Sequence, residues 1–143
     1  MALCYFDPKI ILMNPYTVPG PGVPNKSANF IFDFVAAISC YSCFFPIVAI
    51  DISIWQFQNI YFRIFDIPLI QRKKYVIVDR YTLGKLTFFQ KFNCAYCEYS
   101  NGVIAYAKAV LNQMELYSCA IKHSHHPLGQ EHQKEFYERE RFE

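Results

Sequence analysis

A chain of 143 residues has room for one domain, or for a membrane anchor with a small domain attached. It is 53% hydrophobic and 18% aromatic but only 18% charged, against about 25% charged residues in ordinary soluble proteins. A net charge of +2, with no basic stripe and no RNA-binding signature, sets nucleic-acid binding aside.

Residues 1–28 read as a proline-rich irregular arm. Pro8, Pro15, Pro19, Pro21 and Pro24, with Gly20 and Gly22, remove amide donors and stop a helix from propagating. A secretory leader would begin with basic residues and an apolar stretch, whereas this segment holds Asp7-Pro8 and interleaved prolines. The arm is expected either to lie on a partner or to be disordered.

Residues 29–70 read as a membrane anchor. Phe34 to Ile50 carries no charge, and a helix of that length with its flanks covers about 30 Å of hydrocarbon. Pro46 is expected to kink this span, because neighbouring groups in a membrane can satisfy the carbonyl it frees. Cys40 and Cys43 lie one helical turn apart within it. With Ser39 and Ser42 they read as a close-packing face for another helix, since unpaired thiolates are costly in lipid. From Asp51 to Ile70 the residues Asp51, Asn59, Arg63 and Asp66 break up the apolar run. Ile54, Phe57, Ile60, Tyr61 and Ile64 fall near one helical face, so this part reads as an interfacial helix ended by Pro68. Arg63, Arg72, Lys73 and Lys74 outnumber Lys9 and Lys26 on the other side, which predicts a cytoplasmic carboxyl half.

Residues 71–126 read as a cytoplasmic helical domain. Tyr75 to Asp79 is a short β-branched run, strand or linker. Leu83, Leu86, Phe89 and Phe92 suggest a helix over residues 80–92. Val103, Ile104, Ala107, Val110, Leu111, Met114 and Tyr117 mark one buried stripe over Asn101–Tyr117, with Ser100 as its N-cap. Two helices joined through CAYCEYSN give an αα-hairpin with a cysteine pair in its turn. Residues 127–143 form a charged tail.

The segment Lys91–His126 contains three of the six cysteines and three of the four histidines. Cys94-x2-Cys97 is followed by Cys119-x3-His123, and three thiolates with one imidazole suit a tetrahedral zinc ion. A continuous helix over Asn101–Tyr117 would be about 25 Å long, so a single site closes only if the helix stops near Asn112-Gln113. Otherwise the pairs are half-sites completed by another subunit. His125, His126 and His132 are further possible ligands. An iron–sulfur cluster uses similar ligands, but four cysteines are its norm. A thioredoxin-like thiol pair is suggested by Cys94 and Cys97 just before a helix, yet the residues after them show no strand pattern. Cysteines packed as small apolar residues are the structural alternative.

The run YVIVDRYTLGKLTFFQKFNCAYCEYSNGVIAYAKAV…YSCAIKH resembles a family of small, uncharacterised bacterial proteins. These share a hydrophobic amino-terminal half, a C-x-Y-C-x-Y-x-N-G segment and a closing C-x-I-K-H. The resemblance extends from about Ile60 to His123. Its members carry tryptophan and proline around the third cysteine, where this chain has Ser118 and Ala120, a departure that spares the proposed ligands. The resemblance implies a bacterial source and a motif that acts as a unit, and supplies no activity.

The sequence thus predicts a mainly α protein, anchored in the inner (cytoplasmic) membrane, serving as an accessory subunit of a larger membrane complex. Its partners would be the lipid bilayer and other membrane subunits, and its structural zinc would sit on Cys94, Cys97, Cys119 and His123. A thiol or iron–sulfur redox protein using Cys94 and Cys97 is the alternative. No Ser-His-Asp order and no phosphate loop is present.

Overall fold

A computed structural model describes residues 30–125 and 127–143 of the protein. The arm expected over residues 1–28, and His126, lie outside the described residues. The described chain is mainly helical and contains no strand. It opens on α1 (Phe30–Ser42) and α2 (Phe44–Phe57), then passes through a π-helical turn at Gln58–Phe62. Together these form a 32-residue apolar helix, Ile31–Phe62, long and apolar enough to cross a membrane. The interruption expected at Pro46 falls three residues earlier, at Cys43. Pro46 lacks an amide hydrogen and its ring crowds the Ser42 carbonyl, and the Cys43 amide turns back to the Cys40 carbonyl at 3.3 Å.

The separate interfacial helix expected from Asp51 is instead continuous with the span. After Phe57 the face expected from a uniform 3.6-residue repeat is lost, because the π turn accommodates one extra residue. Phe62 becomes fully buried, while Ile60 and Ile64 are 62% and 69% exposed.

The long helix α3 (Phe88–Ser118) runs for 31 residues. The hairpin expected at CAYCEYSN is not formed, because that whole stretch is helical. The one strong local breaker beside it is Gly102, the next residue, and a glycine in a helix interior costs about 1 kcal/mol, too little to stop a helix whose next turns are buried. The chain divides into two compact units, and α3 supplies its first part to one and its second part to the other.

In the first unit, residues 30–44 and 77–100, α3 starts with a reciprocal cap. The Thr87 amide donates to Gln90 Oε1 at 3.1 Å, and the Gln90 amide donates to Thr87 Oγ1 at 3.3 Å. This is the Thr-x-x-Gln capping box, and it places the helix start at Phe88 instead of near Arg80. Glu98, about three turns on, accepts the amides of Asp79 and Arg80 at 3.2 and 3.3 Å and pairs with Arg80 Nε at 3.0 Å. It thereby satisfies the amino end of a short 3-10 turn, Arg80–Thr82. Aromatic rings form the interface of α1 with α3. Tyr41 packs on Phe92 and Tyr96 at 5.7 and 5.3 Å, and its hydroxyl donates to Asn93.

In the second unit, residues 45–76 and 101–143, Phe62, Ile67, Tyr106 and Val110 form the core, with Ile54, Phe57, Tyr61, Ile70 and Met114 packed around it. Val103 and Ala107 are also buried, whereas Ile104, Leu111 and Tyr117 are exposed, so the buried stripe of α3 lies one position round from the expected one. The chain leaves the π turn through Asp66, held at φ 51°, and returns along the helix. There Gln58 acts like a strand neighbour: Ile70 N–H donates to its Oε1 at 3.1 Å, and its Nε2 donates to the Ile70 carbonyl at 3.2 Å. Within residues 127–143 the contacts to the rest of the unit run through a few side chains and one backbone bridge. Gln133 and Phe136 are buried, and Tyr137 bridges in parallel to Ile121, with its amide on the Ala120 carbonyl at 2.9 Å.

Candidate functional site

The four expected zinc ligands are distributed along α3 and past its end. Cys94 and Cys97 sit in its second and third turns, within the first unit, Cys94 half-buried and Cys97 exposed. Cys119 follows the last helical residue, exposed, with its amide on the Glu115 carbonyl at 2.8 Å, and His123 is exposed in the loop beyond. The helix does not stop near Asn112-Gln113, the break that a single site required. Among the described residues no group of three or more His, Cys, Asp or Glu side chains is arranged to hold a metal. His125 is bonded to its neighbour Ser124, and His132 to Glu115.

The Cys97 thiol does not have the setting of a low-pKa nucleophile. Burial pushes the Cys97 thiol above its ordinary value; Cys40, Cys94 and Glu98 add to the rise, and Arg80 opposes it. Cys94 lies six residues inside α3, beyond its first turn. No disulfide joins the described cysteines. Cys40 belongs to the packing face of α1: its carbonyl accepts the Tyr96 hydroxyl at 2.7 Å, and Phe44, a turn on, meets Tyr96 and Tyr99 at 6.4 and 6.1 Å.

Two polar assemblies that the sequence did not single out organise the second unit. The first neutralises Asp51, the charge that interrupts the apolar helix. Arg72 Nε and Nη2 reach its two oxygens at 2.9 and 2.5 Å, a forked pair in which the Asp51 side chain is 13% exposed and that of Arg72 38%. Tyr106 is close by, and burial with Asp51 raises its phenol above the ordinary value while Arg72 opposes the shift. The second assembly is built on Glu115. Its Oε2 meets His132 Nε2 at 2.6 Å, and its Oε1 accepts Gln133 Nε2 at 2.9 Å. Gln133 also donates to Gln130, and the His132 ring stands edge-on to Phe136 at 5.5 Å. This network ties the carboxyl-terminal segment to α3. No local signal announces either assembly, because Asp51 and Arg72 are 21 residues apart and Glu115 and His132 are 17.

Both assemblies orient structure and neither presents a nucleophile next to a base in a closed cleft. The chain matches no protein-family profile, no curated protein and no solved structure.

Proposed function

We propose that this protein is a membrane-anchored accessory subunit of a larger membrane complex, with the uncharged stretch Phe34–Ile50 of the Ile31–Phe62 helix in the bilayer and the basic residues that follow it on the cytoplasmic side of the inner membrane. The observation that supports this reading is the exposure of the helix. None of the residues in its most apolar window is buried. Ile31, Phe32, Phe34, Val35, Ile38, Phe44 and Phe45 all stand in the open, Phe45 at 76%. Covering them with lipid or protein is worth on the order of 10 kcal/mol at about 1.5–3 kcal/mol for each full side-chain burial. That equals the whole stability of an ordinary domain, so a chain leaving this face in water would associate through it. The forked Asp51–Arg72 pair supports the same placement, since it removes a lone charge from the end of the uncharged run. The basic residues Arg63, Arg72, Lys73 and Lys74 follow that end and favour the cytoplasmic side.

Trp55, the single tryptophan, lies on α2 and is exposed, so it reports directly on the helix's surroundings. Lying about 6 Å of helical rise past Asp51, at the edge of the bilayer, it should be quenched in liposomes by lipids brominated near the headgroup end of the acyl chains, and less by lipids brominated near the chain ends. Membranes washed with alkaline carbonate should retain the protein. Unquenched Trp55 and full release by carbonate would defeat the membrane reading.

Zinc enters this function as a link between subunits. The exposed positions of Cys97, Cys119 and His123 favour ligation completed by another chain. Metal analysis of the complex isolated in mild detergent tests this: zinc should accompany the assembly and be lost from the separated subunit. Iron with sulfide and a visible absorbance would instead favour the electron-transfer alternative.

A further inference from the structure

The second unit carries an open groove of about 930 Å³, within the size range of sites that enclose small molecules, roughly 300–1,000 Å³. Ala49, Ser53 and Ile54 of α2 form one wall, and Ile104, Ala107 and Leu111 of α3 form the other. Its α2 wall straddles Asp51, the first charge after the uncharged stretch Phe34–Ile50. In the proposed membrane placement, on which this inference rests, that is the level of the lipid headgroups. Two charged residues line the groove, Lys108 and Glu115. Glu115 is held by His132 and Gln133, whereas Lys108 has no ion-pair partner among the described residues. Its ammonium lies over Gly129, 3.1 Å from where a Cβ would stand, and Gly129 adopts φ +77°. An apolar trough with one ammonium that no carboxylate pairs, and a carboxylate already held by His132 and Gln133, complements a molecule with a long hydrocarbon chain beside one negative charge.

We propose that this groove binds one anionic phospholipid, with an acyl chain along the α2–α3 trough and the headgroup phosphate on Lys108. The full chain, purified in an uncharged detergent and titrated with dioleoyl-phosphatidylglycerol or dioleoyl-phosphatidylcholine, can be followed by native mass spectrometry. One phosphatidylglycerol should be retained per chain, more tightly than phosphatidylcholine. Lys108→Gln should weaken phosphatidylglycerol binding about two- to fivefold, the range of an exposed ion pair, and leave phosphatidylcholine unchanged. Ser53→Phe, which fills the trough from an exposed position, should weaken both lipids more than tenfold. Inorganic phosphate should not compete. Equal binding of the two lipids, untouched by either substitution, overturns the proposal. A dimer lost in Ser53→Phe, in place of a lipid adduct, overturns it by assigning the groove to a second copy. The brominated-lipid measurement separates the two levels: quenched Trp55 without a lipid adduct removes this inference alone, and unquenched Trp55 removes the membrane placement beneath it.

Discussion

Replacing Gly102 by alanine tests whether the second unit is built as described. A methyl group at this position would stand 2.7 Å from the Tyr75 carbonyl oxygen and 2.8 Å from Val76 Cα. Both obstacles are backbone, so neither can rotate away. The segment is also fixed where it stands, since the amides of Tyr75 and Val76 both bond to the Arg72 carbonyl at 3.0 Å, and the Tyr75 ring packs on Tyr106 at 6.3 Å. Two effects oppose each other. Alanine is the better helix former by about 0.8–1 kcal/mol in a helix interior. Overpacking of a fitted contact costs about 1–3 kcal/mol, and the upper part of that range applies because the crossing backbone must retreat from α3. The net expectation is a loss of about 1–2 kcal/mol, or a fall in Tm of about 3–10 °C for a chain of this size. Thermal unfolding in detergent, followed by far-ultraviolet circular dichroism, measures it. Gly84→Ala is the control, because a Cβ there meets nothing within 4 Å; it should change stability by less than about 0.5 kcal/mol. A Gly102→Ala variant as stable as the parent, or more stable, would show that residues 75–76 do not cross α3 at this point.

Three further outcomes follow from the polar contacts. Arg72→Gln should destabilise by about 1–3 kcal/mol by leaving Asp51 without its forked partner, and adding Asp51→Asn should restore much of the loss; a double-mutant cycle in chemical unfolding shows no coupling if the pair does not exist. Glu115→Ala should release the carboxyl-terminal segment, so that trypsin cuts at Lys134 and Arg139 sooner than in the parent; unchanged cleavage times would mean that His132 and Gln133 are held by something else. Because the Cys97 thiol is raised from its ordinary 9.0, it stays protonated at neutral pH and becomes a thiolate only as the pH climbs beyond that value. Its alkylation by iodoacetamide, read by peptide mass spectrometry, should therefore still be rising above pH 9; fast labelling at pH 7 would reopen the redox reading.

The apolar amino-terminal helix was legible because its signal is local: a long uncharged run is a property of consecutive residues. The stripe through Val103, Ala107 and Val110 was legible for the same reason. The cysteine pattern left open which ligands share a site, because spacing along the chain does not show where a helix ends. Ser100 reads as the N-cap of a helix over Asn101–Tyr117, whereas the capping box that starts α3 is Thr87 with Gln90. The helix begins there and runs to Ser118, so the stop near Asn112-Gln113 that a single site required is absent. The decisive fact was a cap seven residues upstream of the first cysteine, in a stretch read as the middle of another helix.

The same reasoning explains why Asp51, which reads as the end of the span, lies inside one helix together with the polar Gln58. A polar side chain breaks an apolar helix only when nothing meets it, because an unsatisfied polar group in a low-dielectric setting costs several kcal/mol. Here the chain reverses at Asp66 and brings Ile70 and Arg72 back to those two side chains, 12 and 21 residues later. Gln58 receives a backbone amide and carbonyl, and Asp51 receives a guanidinium. Each polar residue fixes the return of the segment that satisfies it. The apparent interruptions therefore act as the attachment points for residues 67–76, which in turn cross α3 at Gly102. An apolar residue at either position would lengthen the hydrophobic run and remove the contact that tells the returning chain where to lie.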